Sequence, residues 1–317
     1  MPGALKPQPN GNQNKPRDID IVLLHDATGS QQPYINAARK TAREYVDKIA
    51  KAAARSQGGS TRYRVVAFRD HREQGDAWIV HDSNPFVTDG AALEKQLNNI
   101  VASGGGDGPE AQIDAFDAVL RSSWRDPVQK IVLLFTDSPP HGIGEPGDRI
   151  PASHPDALTA QSILDSYMNS DIQLIVFGCI PEIRNYKKAE EFYLKFTKKT
   201  AGVYLTLDRS ANAAVLSRGV VGSVLHASDS LRLADTYGAW IMDASDHGHD
   251  ALVDALHSKL TADGEECHEV VCTEHGGHDI QYHLAPVSRA RVDTIVGKTL
   301  AYKEMIKSDP VLNAIFG

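Results

Sequence analysis

Asp26, Thr28 and Ser30 fall at alternate positions of one short loop, Asp26-Ala27-Thr28-Gly29-Ser30. Two further aspartates stand in comparable surroundings. Asp107 lies in the glycine-rich stretch Gly104-Gly105-Gly106-Asp107-Gly108, and Asp137 follows the apolar run 130–135 and Thr136. Carboxylates and hydroxyls make an all-oxygen donor set, the kind preferred by hard divalent cations such as magnesium, manganese or calcium. Electrostatics favours an ion if these loops meet. Carboxylates about 5 Å apart repel by roughly 3 kcal/mol per pair at an effective dielectric of about 20, so three together either take up protons or hold a counterion. Each residue also has an ordinary structural use. Asp107-Gly108-Pro109-Glu110 reads as a helix start, with an N-cap Asp, Pro in the first turn and Glu at N3. Thr28 or Ser30 can cap the helix that follows them, and Asp137 before Ser138-Pro139-Pro140 can shape a turn.

Whether the loops meet depends on the elements that carry them. Residues 18–24 form a short apolar strand that runs into Asp26. From Pro33 to about Arg55, Ile35, Ala38, Ala42, Tyr45, Val46 and Ile49 share one face at helical spacing. Strands are expected at 63–68, 130–135, 172–177 and 203–207, with a short edge strand at 78–80. Helices are expected at 91–101, 109–121, 158–168, 187–198 and 212–226. The runs at 130–135 and 172–177 are almost continuously apolar, which suits central strands covered on both faces. Strands alternating with helices give an α/β fold: a Rossmann-like, doubly wound, mostly parallel sheet flanked by helices. Ligands bind such sheets at the carboxyl ends of the strands, where all three acidic loops fall.

These stretches resemble the von Willebrand factor type A family. Residues 18–30 are similar to its first strand and the Asp-x-Thr-Gly-Ser form of its metal-ion-dependent adhesion site. The likeness continues through Ala67-Phe68-Arg69-Asp70-His71, through 104–110 and through 135–142, in the manner of the alpha-kinase-associated, hemicentin-like and fungal branch. It covers roughly residues 17–226. The resemblance implies a cation held by Asp26, Thr28, Ser30 and Asp137, and a protein partner bound through the metal-site face. In the adhesion receptors a threonine stands where this chain has Asp107, and a methionine commonly follows the serine where this chain has Gln31. An Asp107 carboxylate close to the ion would cancel its residual charge, tightening cation binding and weakening attraction for a partner carboxylate. Asp70, His71, His141, Glu145 and Asp148 are candidate partner contacts around this face.

Composition narrows the function classes. The 317 residues suit a large domain with an appendage, and residues are 41% hydrophobic and 23% charged. A formal charge of −8 argues against a nucleic-acid binder. No apolar run approaches the roughly 20 residues that span a bilayer, and the start of the chain lacks the apolar stretch of a signal peptide. Cys179, Cys267 and Cys272 are too few for a disulfide framework, so an intracellular location is expected. The division read here is a disordered tail at 1–16, the type A-like domain at 17–226 and a mainly helical extension of unknown role at 227–317. In the extension, helices are expected at 231–242, 251–260 and 287–306, with a hairpin at 267–283. Cys267, Cys272, His275 and His278 do not follow a common zinc spacing, so zinc is not expected there. A phosphotransferase or phosphatase with Asp26 as nucleophile is the alternative to a binding module. That chemistry usually places a second carboxylate two residues on as general acid, where this chain has Thr28. The glycine run follows a helix and lacks the spacing of a dinucleotide loop.

Overall fold

The structure, a computed structural model, describes residues 5–9, 17–56, 59–150, 158–210, 212–274 and 277–308. In chain order the main elements are β1 (Ile19–Asp26), α1 (Gln32–Ser56), β2 (Thr61–Phe68), β3 (Val80–His81), α2 (Gly90–Asn98), α3 (Gln112–Leu120), β4 (Gln129–Thr136), α4 (Ala160–Asn169), β5 (Ile172–Ile180), α5 (Ala189–Lys199) and β6 (Tyr204–Asp208). They are followed by α6 (Ala213–Asp243), α7 (His249–Ala262), β7 (Glu266–Thr273), β8 (Asp279–Pro286) and α8 (Arg289–Ser308). Six strands form one sheet in the order β3-β2-β1-β4-β5-β6. All pairings are parallel except that of the edge strand β3 with β2.

Both faces of this sheet are covered, which explains the unbroken apolar runs. Ile21, Leu23, Ile131 and Leu133 pack beneath α1, α2 and α6, while their neighbours Val22, Leu24, Val132 and Leu134 pack beneath α3, α4 and α5. His25 is fully buried and stacks on Phe135 at 4.4 Å, which stacks on Phe177 at 4.7 Å. Burial, helped by Arg39, pushes the His25 imidazole down to about 3, so the ring is neutral and acts as an aromatic plate.

The connection order reverses at β1, which lies between β2 and β4. A doubly wound sheet opens a crevice at this switch point. The register sets His25 beside Phe135, so Asp26 and Thr136 finish neighbouring strands at the same height.

Helices expected at 212–226 and 231–242 are one helix of 31 residues, α6. The intervening Ser228, Asp229 and Ser230 are weak helix formers, but nothing there forces a break. The Ser230 hydroxyl bonds back to the His226 carbonyl at 3.0 Å, so it needs no alternative turn. The residue 226/227 division therefore falls inside a helix. The first half of α6 packs beneath the sheet, and its second half packs with α7 and α8 through Leu233, Tyr237, Trp240 and Ile241. The β7–β8 hairpin lies across the same helix, with Ile280 against Gly219 and Tyr282 against Gly222. Leu5 packs against the α6–α7–α8 cluster. No helix among the described residues is long and apolar enough to cross a membrane.

Candidate metal centre

The loop after β1 and the glycine-rich loop are tied together through their backbones. Ser103 N donates to Ala27 O at 3.0 Å and Gly29 N to Gly104 O at 3.3 Å. Arg69 reinforces the junction by donating from Nε to Ala27 O at 3.3 Å and from Nη2 to Val101 O at 2.6 Å. Gly104 has φ +82, and a Cβ there would collide with the Asp76 carboxylate. Gly104→Ala should cost about 1–3 kcal/mol of stability in denaturant melts, with cation affinity falling as the loop shifts.

Asp26 is fully buried at the end of β1. Its Oδ1 accepts from Thr28 N at 2.9 Å and Thr28 Oγ1 at 2.6 Å, and its Oδ2 accepts from Thr136 Oγ1 at 2.9 Å. Thr28 therefore orients Asp26 and makes no side-chain cap to the helical turn after it. Gln112 donates to Thr136 Oγ1 at 3.1 Å and to Ser138 O at 2.8 Å, and Tyr193 donates to Ser138 O at 2.7 Å. These buried amide and phenol groups fix the β4 turn against α3 and α5. Asp137 is 5% exposed, has the Ser30 hydroxyl as a hydrogen-bond partner, and leaves its Oδ2 without one.

The helix start expected at 107–110 lies further on. α3 begins at Gln112 with Ala111 as N-cap, so neither Asp107 nor Glu110 caps it. Glu110 instead forms a parallel bridge to Pro140, its N–H donating to Pro139 O at 3.0 Å. This turns its side chain inward, 4% exposed, with Oε2 unpartnered. Burial, with Asp26, Asp70, Asp76 and Asp137 around it, pushes the Glu110 carboxyl up to about 11. Burial also raises Asp26, with Asp137 adding to the effect, and raises Asp137 itself. Glu110 is expected within the 104–110 likeness and as a capping residue; its inward turn comes from the bridge to Pro140.

Asp107 has a second group of neighbours. Its Oδ2 accepts from Arg149 N at 3.1 Å and Gln74 Nε2 at 3.3 Å, and its Oδ1 lies 4.0 Å from His141 Nε2. His141 Nε2 is 2.8 Å from Asp70 Oδ1, and His141 Nδ1 is 2.7 Å from Asp148 Oδ1. Burial lowers the His141 pKa, but Asp70 and Asp148 outweigh it and the net shift is upward. Glu145 accepts from Lys187 N at 2.9 Å and Lys188 N at 2.7 Å, holding the approach to α5. His71 lies 3.6 Å from Asp114 and its ring centroid is 5.3 Å from that of His141. The five residues expected as partner contacts, Asp70, His71, His141, Glu145 and Asp148, thus have side chains turned inward and engaged within the fold.

The chain resembles a kinase-named protein over part of its length. It is 24% identical over 186 residues to alpha-protein kinase vwkA of Dictyostelium discoideum, covering 57% of this chain and 28% of that protein. The match therefore spans only about a quarter of that relative. Among solved structures, an aerotolerance-related membrane protein from Bacteroides fragilis NCTC 9343, carrying multiple mutations to serines, matches with a TM-score of 0.42 and 17% identity. That match covers 65% of this chain and 98% of that one. No family model matches the chain.

Both oxygens of Asp26 accept hydrogen bonds inside the protein. Farther away, Cys267 and Cys272 lie five positions apart on β7 and so point to opposite faces of the hairpin. Cys267 is 3.7 Å from Arg232, whereas Cys272 is 3.4 Å from His278 Nε2. The two thiols cannot share one ion in this arrangement, and His275 lies outside the described residues.

Proposed function

We propose that this chain is a divalent-cation-dependent protein-binding module. Asp26, Thr28, Ser30 and Asp137 hold the ion, and Glu110 adds negative charge beside them. One observation carries the reading: Asp137 Oδ2 and Glu110 Oε2 are buried without hydrogen-bond partners around the buried Asp26. Buried polar atoms are almost always satisfied, and a divalent ion satisfies several carboxylate oxygens at once. The donors are all oxygen, which favours magnesium, with manganese or calcium as substitutes. Ser103, Gly104, Gly105, Gly106 and Gly29 are exposed around the site, so a partner reaches it over a nearly side-chain-free rim. The likeness of residues 17–226 to the type A family supports the same reading. The kinase in the name of vwkA is not carried over, because the match covers only 28% of that protein.

Two measurements test the proposal. Calorimetric titration of EDTA-stripped protein with magnesium should give a saturable site, weakened at least about tenfold in Asp137→Ala. A lysate passed over immobilised full chain should yield polypeptides retained in magnesium and released by EDTA, and lost on Asp137→Ala. Retention of the same polypeptides with EDTA would overturn the binding role.

A further inference from the structure

We propose that Asp70, Asp107 and His141 form a second cation site that takes a transition ion of the zinc or manganese type, with Asp148 orienting the imidazole. It draws on residues that the Asp26–Asp137 site does not use, and it stands whether or not that site binds magnesium. One ligand atom from each of the three residues lies within 4.8 Å of the other two. Among the described residues, this is the one such grouping of His, Cys, Asp or Glu side chains.

The surroundings have the features of a built site. Asp148 is fixed independently of the histidine: Gly142 N donates to its Oδ2 at 2.8 Å and Ile150 N to its Oδ1 at 2.8 Å. Its Oδ1 then accepts from His141 Nδ1, which leaves Nε2 as the ligand nitrogen aimed at Asp70 and Asp107. A carboxylate behind a histidine that faces a metal is the usual way such ligands are oriented and made more basic. Asp70 is held at both oxygens, His71 N donating to Oδ1 at 2.7 Å and Gly106 N to Oδ2 at 3.4 Å, and Oδ1 also faces His141 Nε2.

A second, independent observation points to a ligand. The Asp107 side chain is 6% exposed, yet its Oδ1, the atom facing His141, has no hydrogen-bond partner. An ion between His141 and the two aspartates satisfies the Asp107 oxygen.

The donor set decides the class of ion. One imidazole nitrogen and two carboxylates suit zinc or manganese, whereas calcium and magnesium prefer oxygen alone. Zinc at about 2.0–2.1 Å from each ligand needs tetrahedral ligand separations of about 3.3 Å. The Nε2–Asp70 pair opens slightly to reach that value and the Asp107 carboxylate closes in. Three protein ligands leave an open position for water or a fourth donor.

The experiment is zinc retention by the full chain. Protein stripped with EDTA is mixed with zinc in excess magnesium, desalted and assayed for bound metal, with affinity then measured against a chelating indicator. One zinc per chain is expected in the parent, in Asp137→Ala and in Cys272→Ser. Asp107→Asn and His141→Ala should lose it, and Asp148→Asn should bind about 10–100-fold more weakly. Circular dichroism reports whether each variant is folded; if His141→Ala is not, the nearly isosteric Asp107→Asn decides. Absence of zinc in the parent, unchanged affinity in Asp107→Asn, or loss confined to Cys272→Ser would each overturn the assignment. Because Asp137→Ala abolishes only the Asp26–Asp137 site, the two sites can fail separately.

Discussion

At pH 7.5, magnesium added to EDTA-stripped protein should raise the melting midpoint by about 5–10 °C, and at pH 5 by much less. The magnitude follows from mass action. Ligand at a hundredfold excess over its dissociation constant stabilises by about 2.7 kcal/mol, and in a chain of this size each kcal/mol moves the midpoint by about 2–4 °C. The pH dependence follows from the carboxylates. Asp26, Glu110 and Asp137 all have folded-state pKa values raised above their ordinary ones, mainly by burial. A raised carboxyl contributes stability that is fully present below its unfolded pKa and is lost as pH rises through the folded value. For Glu110, with an ordinary value of 4.5 and a folded value of about 11, the window runs from mildly acidic to alkaline pH. Its loss is about 1.4 kcal/mol per pH unit within that window. Ion-free protein should therefore melt at progressively lower temperature from pH 5 to pH 8. A cation reverses the trend by stabilising the ionised forms.

Asp137→Ala provides the sharper comparison. It removes one of the mutually repelling carboxylates, so the ion-free variant should melt higher than the ion-free parent at pH 7.5. It also removes a ligand, so magnesium should move it little. A variant that melts lower without cation and still responds fully to magnesium would show that Asp137 serves the turn after β4 and not the ion.

The carboxyl-edge loops were legible because sheet topology is written in apolar runs. Val22, Leu24, Val132 and Leu134 alternate with Ile21, Leu23, Ile131 and Leu133, and short β-branched apolar runs of this kind suit strands buried on both faces. Once β1 and β4 were central, Asp26 and Asp137 had to lie near one another. The 107–110 segment was harder to read. Asp, Pro and Glu at those spacings serve a helix start equally well, and the tertiary bridge from Glu110 to Pro140 that displaces the start to Gln112 has no local signature. The same limit hid the pairing of His141 with Asp70 and Asp148. Seventy-one residues separate His141 from Asp70, and their contact depends on how the loops after β2 and β4 fold over the glycine-rich loop. The length of α6 was missed for the opposite reason: local propensity is weak at 228–230, and packing on both sides of that stretch carries the helix through.

Arg291→Ala should lower the unfolding free energy by about 3–5 kcal/mol, a large share of the roughly 5–15 kcal/mol available to a folded chain. Arg291 sits in the first turn of α8 with 4% exposure. Its Nη1 donates to His226 O at 3.0 Å and Ser230 Oγ at 3.1 Å, both on α6. Its Nη2 donates to His226 Nδ1 at 2.6 Å and to His268 O on β7, and its Nε donates to Glu269 Oε1 at 3.3 Å. One guanidinium thus joins α6, β7 and α8. Burial, with the Arg291 charge adding, holds His226 down to about 3, so its neutral ring is available to accept the bond. Truncation leaves these acceptors and the Glu269 charge without their donor in a partly dry interface. Arg291→Lys should recover less than half of the loss, because an ammonium cannot reproduce the planar fork. Urea titration followed by far-ultraviolet circular dichroism and tryptophan fluorescence measures the change. Since α6 passes from beneath the sheet into the α7–α8 cluster, both signals should move together in the parent. A loss under about 0.5 kcal/mol would mean that water already reaches these partners and that apolar packing alone holds α8 in place.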